Sequence, residues 1–308
     1  MADKTGIEWT DATWNPVTGC TEVSPGCDHC YAKTFAERWR GTRGHYFENG
    51  FDVQLRPDKL DQPLRWRKPR KIFVNSMSDL FHDSVPDEYI AQVFAVMCHA
   101  SHHTFQVLTK RHARMRSLLS SDAFRELVFT STELDPRSPD GATDILADYW
   151  PLPNVWLGVS AENQQWANIR IPALLGTPAA VRFVSAEPLL GHIDLRLLDA
   201  HSKQQPDMVY DAVNGYYGVP GLWRQKTSAR LDWVIAGGES GPGARLMELG
   251  WACGLQKQCA SAGVAFHFKQ TGSVLAREWG LSGKGGDSSE WPWDFTREYP
   301  STADGGEA

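Results

Sequence analysis

The chain has 308 residues, 42% of them hydrophobic, enough to bury the core of one α/β barrel or of two smaller domains. Its 31 Lys and Arg against 37 Asp and Glu give a net charge of −6, which excludes an overall basic surface for nucleic acid. Six cysteines are too few for a disulfide scaffold, and the sequence shows neither an apolar signal core nor an apolar run of transmembrane length. We therefore expect a cytoplasmic protein with reduced thiols and no membrane partner.

The first distinctive feature along the chain is a group of three cysteines that precedes an expected helix beginning near Tyr31. Cys27 and Cys30 form a Cys-x-x-Cys pair, and six residues separate Cys20 from this pair. The loop between them can fold back and bring the three thiolates to one point. Three thiolates suit a zinc ion with a fourth ligand, or a 4Fe–4S cluster with one iron left free. The other three cysteines lie in helical patterns and are predicted to be core side chains: Cys98, Cys253 and Cys259.

Seven short apolar runs rich in β-forming residues recur along the chain. Most of them are continuous rather than alternating, which is typical of strands buried on both faces of a parallel sheet. Helical patterns separate the runs and indicate right-handed βαβ units. We predict an α/β fold, a partial or near-complete TIM-like barrel of six or seven βα units with parallel strands, over residues 1–271. The predicted strands are 13–19, 72–76, 104–109, 155–160, 181–185, 232–238 and 264–269.

Two helices have clear boundaries in the sequence. An apolar stripe predicts one helix over 86–100, with Ser84 as its N-cap residue. A second pattern predicts a helix over 246–262 that ends at Gly263, because glycine favours the left-handed conformation of a C-terminal cap.

Three stretches fall outside the alternation of strands and helices. Residues 41–70 form a polar, Arg-rich insertion after the first helix, and residues 131–153 read as a loop with a short helix. Residues 272–308 are predicted to form a peripheral, partly irregular C-terminal tail. Trp291 and Trp293 can pack this tail against the rest of the protein.

The carboxyl ends of the predicted strands are unusually polar. In an α/β barrel the ligands bind at these ends. Hydroxyl and amide groups can bind ribose oxygens, carboxylates can bind an ammonium group, and glycines let the backbone approach a flat base. The pattern therefore predicts a ligand pocket. The residues at these ends include Asn75, Ser76, Ser78, Asp79, Thr109, Lys110, Arg111, Ser160, Glu162, Asn163, Ser185, Glu187, Gly237, Gly238 and Glu239.

Several segments together resemble known families. Three cysteines on the loop after the first barrel strand, followed by an aromatic residue, are similar to those of the radical S-adenosylmethionine enzymes. A closer resemblance is to an uncharacterised phage-associated three-cysteine family, itself distantly similar to the spore photoproduct lyases. It covers residues 5–272 and is carried by GIEWTDATWNPVTGC, GC-x-x-CYA, SMSDLFHD, LTKR, SAEPLLG and GGESG. The cysteine spacing departs from the usual three and two intervening residues, since here it is six and two.

The resemblance implies a cofactor and a set of binding residues. It implies that Cys20, Cys27 and Cys30 each ligate one iron of a 4Fe–4S cluster and that S-adenosyl-L-methionine chelates the fourth iron. An electron from a donor such as flavodoxin or ferredoxin would then cleave the sulfonium and yield a deoxyadenosyl radical. The implied contacts are His29 with the adenine, Asn75, Ser76 and Ser78 with the methionine amino group, Ser160, Glu162 and Asn163 with the ribose, and Glu187, Gly237 and Gly238 near the adenine and methionyl ends.

Other interpretations of these residues stay open. A zinc site completed by His29 or another histidine would make the chain a non-enzymatic, zinc-stabilised nucleic-acid-binding protein. No second Cys-x-x-Cys or His pair accompanies the cysteines, which favours the cluster. His82 and Asp83 suit an acid–base or metal site, although capping of the next helix is the commoner role. Lys110 and Arg111 fit an anionic substrate and a solvated helix start equally well.

The substrate is suggested by one locally basic segment. Residues 38–71 carry ten Lys or Arg against four Asp or Glu. Basic groups follow phosphates and aromatic rings stack on bases, so this composition favours a nucleic acid or nucleotide, although a solvated surface is the commoner meaning of a charge run. The similarity to a DNA-lesion repair enzyme favours nucleic acid by analogy. The interleaved rings are Trp39, Tyr46, Phe47, Phe51 and Trp66.

Overall fold

The computed structural model describes residues 5–133, 150–200, 207–221, 223–227 and 229–301. The chain divides into two compact units, Met1–Gly158 with Thr177–Ala180 and Val159–Gly176 with Val181–Ala308. No helix in the described part of the chain is both long and apolar enough to cross a lipid bilayer.

Thirteen strands lie in the described residues, and seven of them form one sheet in the order β1-β4-β5-β6-β7-β12-β13. The pairs β1–β4, β4–β5, β7–β12 and β12–β13 are parallel. The strands of this sheet are neighbours in the order in which they occur along the chain, as in α/β barrels. In doubly wound sheets the strand order reverses. The strands are β1 Ala12–Trp14, β2 Val17–Thr18, β3 Gln54–Leu55, β4 Lys71–Val74, β5 Thr104–Thr109, β6 Val155–Ser160, β7 Val181–Ala186, β8 Leu198–Asp199, β9 Val209–Asp211, β10 Tyr216–Val219, β11 Trp223–Lys226, β12 Trp233–Gly237 and β13 Ala265–Gln270.

Each of the seven predicted apolar runs overlaps a strand of this sheet, which confirms the parallel α/β prediction. The first strand is shorter than the predicted 13–19, because β1 ends at Trp14. Pro16 has no N–H to donate to a neighbouring strand, and the Asn15 side chain instead accepts the N–H of Met77 at 2.9 Å. After this break β2 pairs antiparallel with β3, outside the main sheet.

Seven α-helices are described: α1 Tyr31–Glu37, α2 Asp87–His99, α3 His112–Leu119, α4 Asp122–Glu133, α5 Gln164–Leu175, α6 Leu249–Ala262 and α7 Ser273–Glu278. The predicted end of α6 is confirmed, since Gly263 is its C-cap and lies in the left-handed region at φ 63°. The prediction that Ser84 is the N-cap residue of α2 is wrong. Pro86 occupies that position, and the N–H of Ser84 donates to His82 Nδ1 at 3.1 Å in a separate turn.

The main departure from the sequence pattern lies between β7 and β12. There β8 to β11 form a four-stranded antiparallel sheet in the order β11-β10-β9-β8, which the sequence analysis missed. The Asn214-Gly215 dipeptide between β9 and β10 is a turn signal that indicates such a hairpin, and Gly215 has φ 72°. Of the expected insertions, 41–70 contains β3 and two 3-10 helices, Pro57–Lys59 and Gln62–Arg65, whereas 134–149 of the segment 131–153 lie outside the described residues.

The predicted C-terminal tail packs against β13 in the second unit. Trp291 meets Phe268 edge-on with ring centroids 5.0 Å apart, and Phe295 stacks on the same ring at 4.0 Å. The backbone N–H of Glu298 donates to Phe266 O at 2.8 Å. The aromatic residues of the tail therefore dock it onto the core, while its last seven positions, 302–308, lie outside the described residues.

A buried histidine lies at the centre of this docked region. His267 on β13 is 2% exposed and contacts the rings of Trp233 and Tyr299, with centroids 6.0 and 5.5 Å away. Burial, helped by the positive charges of Arg297 and Lys269, lowers the pKa of His267 from its ordinary 6.5 to about 4. The imidazole therefore stays neutral in the folded protein when the same group in the unfolded chain takes up a proton.

The free energy of unfolding should fall by about 2 kcal/mol between pH 7 and pH 5 through His267 alone. The folded-state pKa lies below the unfolded value, so this stability is complete above pH 6.5 and is lost as the pH falls toward 4. Urea denaturation at both pH values checks the effect. In the His267→Phe variant the difference should shrink by about that amount; an unchanged difference would show that the pKa of His267 is the same in the native and the unfolded state.

Candidate functional site

The three cysteines lie on one loop between β2 and α1. Cys20 follows β2, Cys27 ends the 3-10 helix Pro25–Cys27, and Cys30 is the N-cap residue of α1. The N–H of Cys30 donates to Cys27 O at 3.2 Å, which makes the Cys-x-x-Cys segment a tight turn. All three thiols are free and half-buried. His29, predicted to contact an adenine, is exposed within that turn.

Two observations relate the three thiols to one another. Cys20 and Cys30 pack against the same apolar cluster, formed by Ala32, Ala36, Phe47, Phe51 and Met77. Burial and the charge of Asp79 raise the pKa of Cys20 to about 11, the Cys27 thiol adds to this rise, and the Arg111 guanidinium opposes it. Among the described residues, however, no three Cys, His, Asp or Glu side chains have the spacing of a preformed metal site. The fold thus gathers the donors on one loop without arranging their sulfur atoms around a common point.

The residues after β4 hold the cysteine loop in place. Gly19 and Ser78 form a parallel bridge, and Ser78 Oγ donates to Val17 O at 2.8 Å. The Tyr31 hydroxyl, directly after Cys30, donates to Ser76 O at 2.6 Å. Ser76 and Ser78, predicted to hold a methionine amino group, therefore make contacts that fix both ends of the loop.

Asn75 is the most unusual residue of this segment. It is 3% exposed and has φ 61°, the left-handed region that side chains other than glycine seldom adopt. Its Oδ1 accepts the N–H of Val17 at 3.4 Å, and its Nδ2 has no hydrogen-bond partner in the described structure. Strained backbone and an unsatisfied buried donor concentrate at functional sites, which makes Asn75 a candidate ligand contact.

Asp79 joins the ends of β4 and β5. Its buried carboxylate accepts the Thr109 hydroxyl at 2.7 and 2.9 Å, and the N–H groups of Lys110 and Phe81 at 3.0 Å each. The side chain is therefore saturated by internal donors. A carboxylate at this strand end acts here as a brace between two strands.

Arg111, at the end of β5, contacts the cysteine loop directly. Its Nη2 donates to Thr21 Oγ1 at 2.6 Å, and Nη1 lies 3.3 Å from Asp83. His82 Nδ1 accepts the Ser84 N–H, so Nε2 carries the proton and donates to the same Thr21 oxygen at 3.0 Å. Burial, and secondarily the charge of Arg111, lower the pKa of His82 and keep it neutral. Only 11% of the Arg111 side chain is exposed, so it is not the solvated helix start that the sequence allowed.

In the second unit, the predicted ribose-binding residues make internal contacts. The Glu162 carboxylate is fully buried and pairs with Arg170 Nη1 at 2.9 Å. The same nitrogen donates to Ser160 O at 2.9 Å, and the guanidinium lies 4.2 Å from the Trp166 ring centroid. Asn163 is the N-cap of α5 and accepts the N–H of Trp166 at 3.2 Å. These residues fix the start of α5.

Glu187, Gly237 and Gly238 form a second polar group at the strand ends of this unit. Glu187 Oε1 lies 3.1 Å from Lys269 Nζ. A Cβ on Gly237 would come within 2.6 Å of that carboxylate oxygen, and one on Gly238 within 2.1 Å of Thr271 O. Both glycines are therefore required for close packing. The side chains of the Glu187–Lys269 pair are partly exposed.

A profile of the family described as "Protein of unknown function (DUF5131)" matches residues 4–298. The chain belongs to this family. The match includes the cysteine loop and every strand end described above. No curated protein and no solved structure matches the chain.

In this DUF5131 chain the Asp79→Asn substitution should lower the free energy of unfolding by about 2–3 kcal/mol. The amide nitrogen cannot accept the donors that the carboxylate oxygen binds, and hydrogen bonds to a charged group contribute roughly that much. Urea denaturation measures the loss. Asp83→Asn is the matched control, since 78% of that side chain is exposed and its removal should change stability by less than about 0.5 kcal/mol.

Arg170→Met in the same DUF5131 chain should lower stability by about 3–5 kcal/mol, because it leaves the Glu162 charge buried without its partner. The double variant Glu162→Leu, Arg170→Met should recover most of that loss, because neither charge is then buried. Thermal and urea denaturation of both variants test this. Equal stability of the two variants would mean that the Glu162 carboxylate does not depend on Arg170.

Proposed function

We propose that this protein is a radical S-adenosylmethionine enzyme that modifies or repairs a nucleic-acid base or nucleotide. Cys20, Cys27 and Cys30 would hold the 4Fe–4S cluster. Such a cluster, when bound, supplies the electron that cleaves S-adenosylmethionine to methionine and a deoxyadenosyl radical, which takes a hydrogen from the substrate. The sequential order of the seven parallel strands supports a partial TIM-like barrel as the framework for this chemistry.

The observation that carries the proposal is the placement of three half-buried thiols on one braced loop. Two neighbouring strand ends hold that loop, through Ser76 and Ser78 after β4 and through Arg111 after β5. The donor set fits a cluster with one free iron, since it consists of three thiols on one loop. Cys98 and Cys259 do not belong to this donor set, because both are buried side chains of helices, α2 and α6, away from the loop in sequence.

The chain's own residues around the loop have three roles in this proposal. The Arg111 guanidinium favours the thiolate form of Cys20, since its charge and hydrogen bond lower the pKa of that thiol against the effect of burial. The neutral His82 and Thr21 orient the guanidinium. Asn75 holds the methionyl part of S-adenosylmethionine through the Nδ2 donor that the fold leaves unsatisfied.

The experiment is anaerobic reconstitution with iron and sulfide, followed by incubation with S-adenosylmethionine and a strong reductant. The wild-type protein should bind about four iron and four sulfide per chain and release deoxyadenosine. Each of Cys20→Ala, Cys27→Ala and Cys30→Ala should lose both properties. Cys253→Ala is the matched control, because that half-buried thiol lies on α6, away from the loop in sequence.

Two outcomes would overturn the proposal. Deoxyadenosine release by a variant that lacks all three cysteines would show that the loop does not hold the reactive centre. A colourless protein with stoichiometric zinc on the same cysteines, which unfolds when a chelator is added, would instead indicate the zinc-stabilised nucleic-acid-binding protein.

A further inference from the structure

A row of exposed aromatic rings follows the cysteine loop. Tyr31, Phe35 and Trp39 are 58%, 46% and 38% exposed, and they include three of the five large aromatic side chains exposed in the described part of the chain. Their spacing is i, i+4 and i+8, on α1 and the turn after it, and Arg38 still has helical dihedrals. The rings therefore follow one side of the helix in steps of about 6 Å. Scattered exposed rings are ordinary, whereas a contiguous row indicates a binding surface.

Each ring of this aromatic row is anchored by a second contact. Trp39 stacks on His45 with centroids 4.1 Å apart and planes 18° apart, and Phe35 meets the buried Phe47 edge-on at 5.7 Å. Tyr31 is held by its hydroxyl, which donates to Ser76 O. The rings are thus fixed before any ligand arrives, which lowers the entropy lost on binding.

The charges beside the aromatic row favour an anionic ligand. Residues 31–46 contain four Lys or Arg and one Glu, although the whole chain has a net charge of −6. Lys33 and Arg40 pair with carboxylates. Arg38 and Arg43 are exposed, and their guanidinium groups have no hydrogen bond or ion pair within the described structure. Arg38 lies seven residues after Tyr31 and so on the same side of the helix.

We propose that the aromatic row, with Arg38 and Arg43, is a stacking platform for an unpaired stretch of nucleic acid. Aromatic side chains that stack on bases beside cations that follow phosphates are how proteins bind single strands. The step of about 6 Å exceeds the rise of about 3.4 Å between stacked bases of a duplex, so the row suits bases that are separated.

This inference deepens the proposed function by naming its substrate as a single strand rather than a free nucleotide or a duplex. It rests on the proposed function only for the role of the bound strand as substrate, because Tyr31 follows Cys30 and the row leads to the cysteine loop. Binding itself needs no cluster. The platform and the radical chemistry can therefore fail separately.

The test is fluorescence anisotropy of a labelled 20-nucleotide single strand titrated with the full-length protein at two salt concentrations. The Phe35→Ala, Trp39→Ala double variant should bind about tenfold more weakly or worse, since each base stacked on a ring contributes strongly to affinity. Arg38→Ala with Arg43→Ala should weaken binding and reduce its salt dependence. Trp279→Ala is the matched control: that ring is 50% exposed and meets Trp293 edge-on in the second unit, and its loss should leave affinity unchanged.

A variant without the three cysteines separates the two proposals. If this variant loses the cluster but still binds the strand, the platform is independent of the cofactor. If the wild type binds the strand but releases no deoxyadenosine, the enzyme is rejected and the platform is kept. The platform is rejected if the ring variant binds as tightly as the wild type while its thermal unfolding is unchanged. Equal binding of a duplex, or a row variant that abolishes only self-association, would reject it too.

Discussion

The first unit depends on one buried carboxylate. Asp79 accepts hydrogen bonds from the Thr109 hydroxyl and from two backbone N–H groups, and so ties the end of β4 to the end of β5. The segment after β4 holds the cysteine loop through Ser78, and the segment after β5 holds it through Arg111. Because a buried charge must keep its donors, neither strand end can move independently, and the loop inherits that rigidity.

Rigidity of the loop matters for the proposed chemistry. A cofactor held by three thiols is positioned only as well as the backbone that carries them. The strain at Asn75, with its left-handed backbone and unsatisfied amide, sits directly after β4 where the same bracing can sustain it. The aromatic row then begins at Tyr31, one residue beyond the last cysteine, and its hydroxyl is tied to the same segment. The cysteine loop and the proposed substrate platform are therefore both held by the segment after β4.

The second unit shows a different use of polar strand ends. Glu162 pairs with Arg170 in full burial, Asn163 caps a helix, and Glu239 accepts two guanidinium nitrogens of Arg245 at 2.9 and 2.6 Å. These groups satisfy one another within the unit. A strand end that looks rich in ligand contacts in the sequence can thus be an internal network, although the Glu187–Lys269 pair is partly exposed.

The sequence by itself determined the seven parallel strands, the clustering of three cysteines before α1 and the end of α6 at Gly263. Each of these depends on local pattern, either on runs of apolar β-formers or on the conformation that one glycine prefers. It could not determine the early end of β1, the antiparallel sheet between β7 and β12, or the partners of the polar residues. Arg111 and Thr21 lie 90 residues apart, and Asp79 and Thr109 lie 30 apart. Hydrogen bonds over such separations exist only once the strands are paired, so the tertiary structure alone decided which polar side chains brace the site and which the fold leaves available to a ligand.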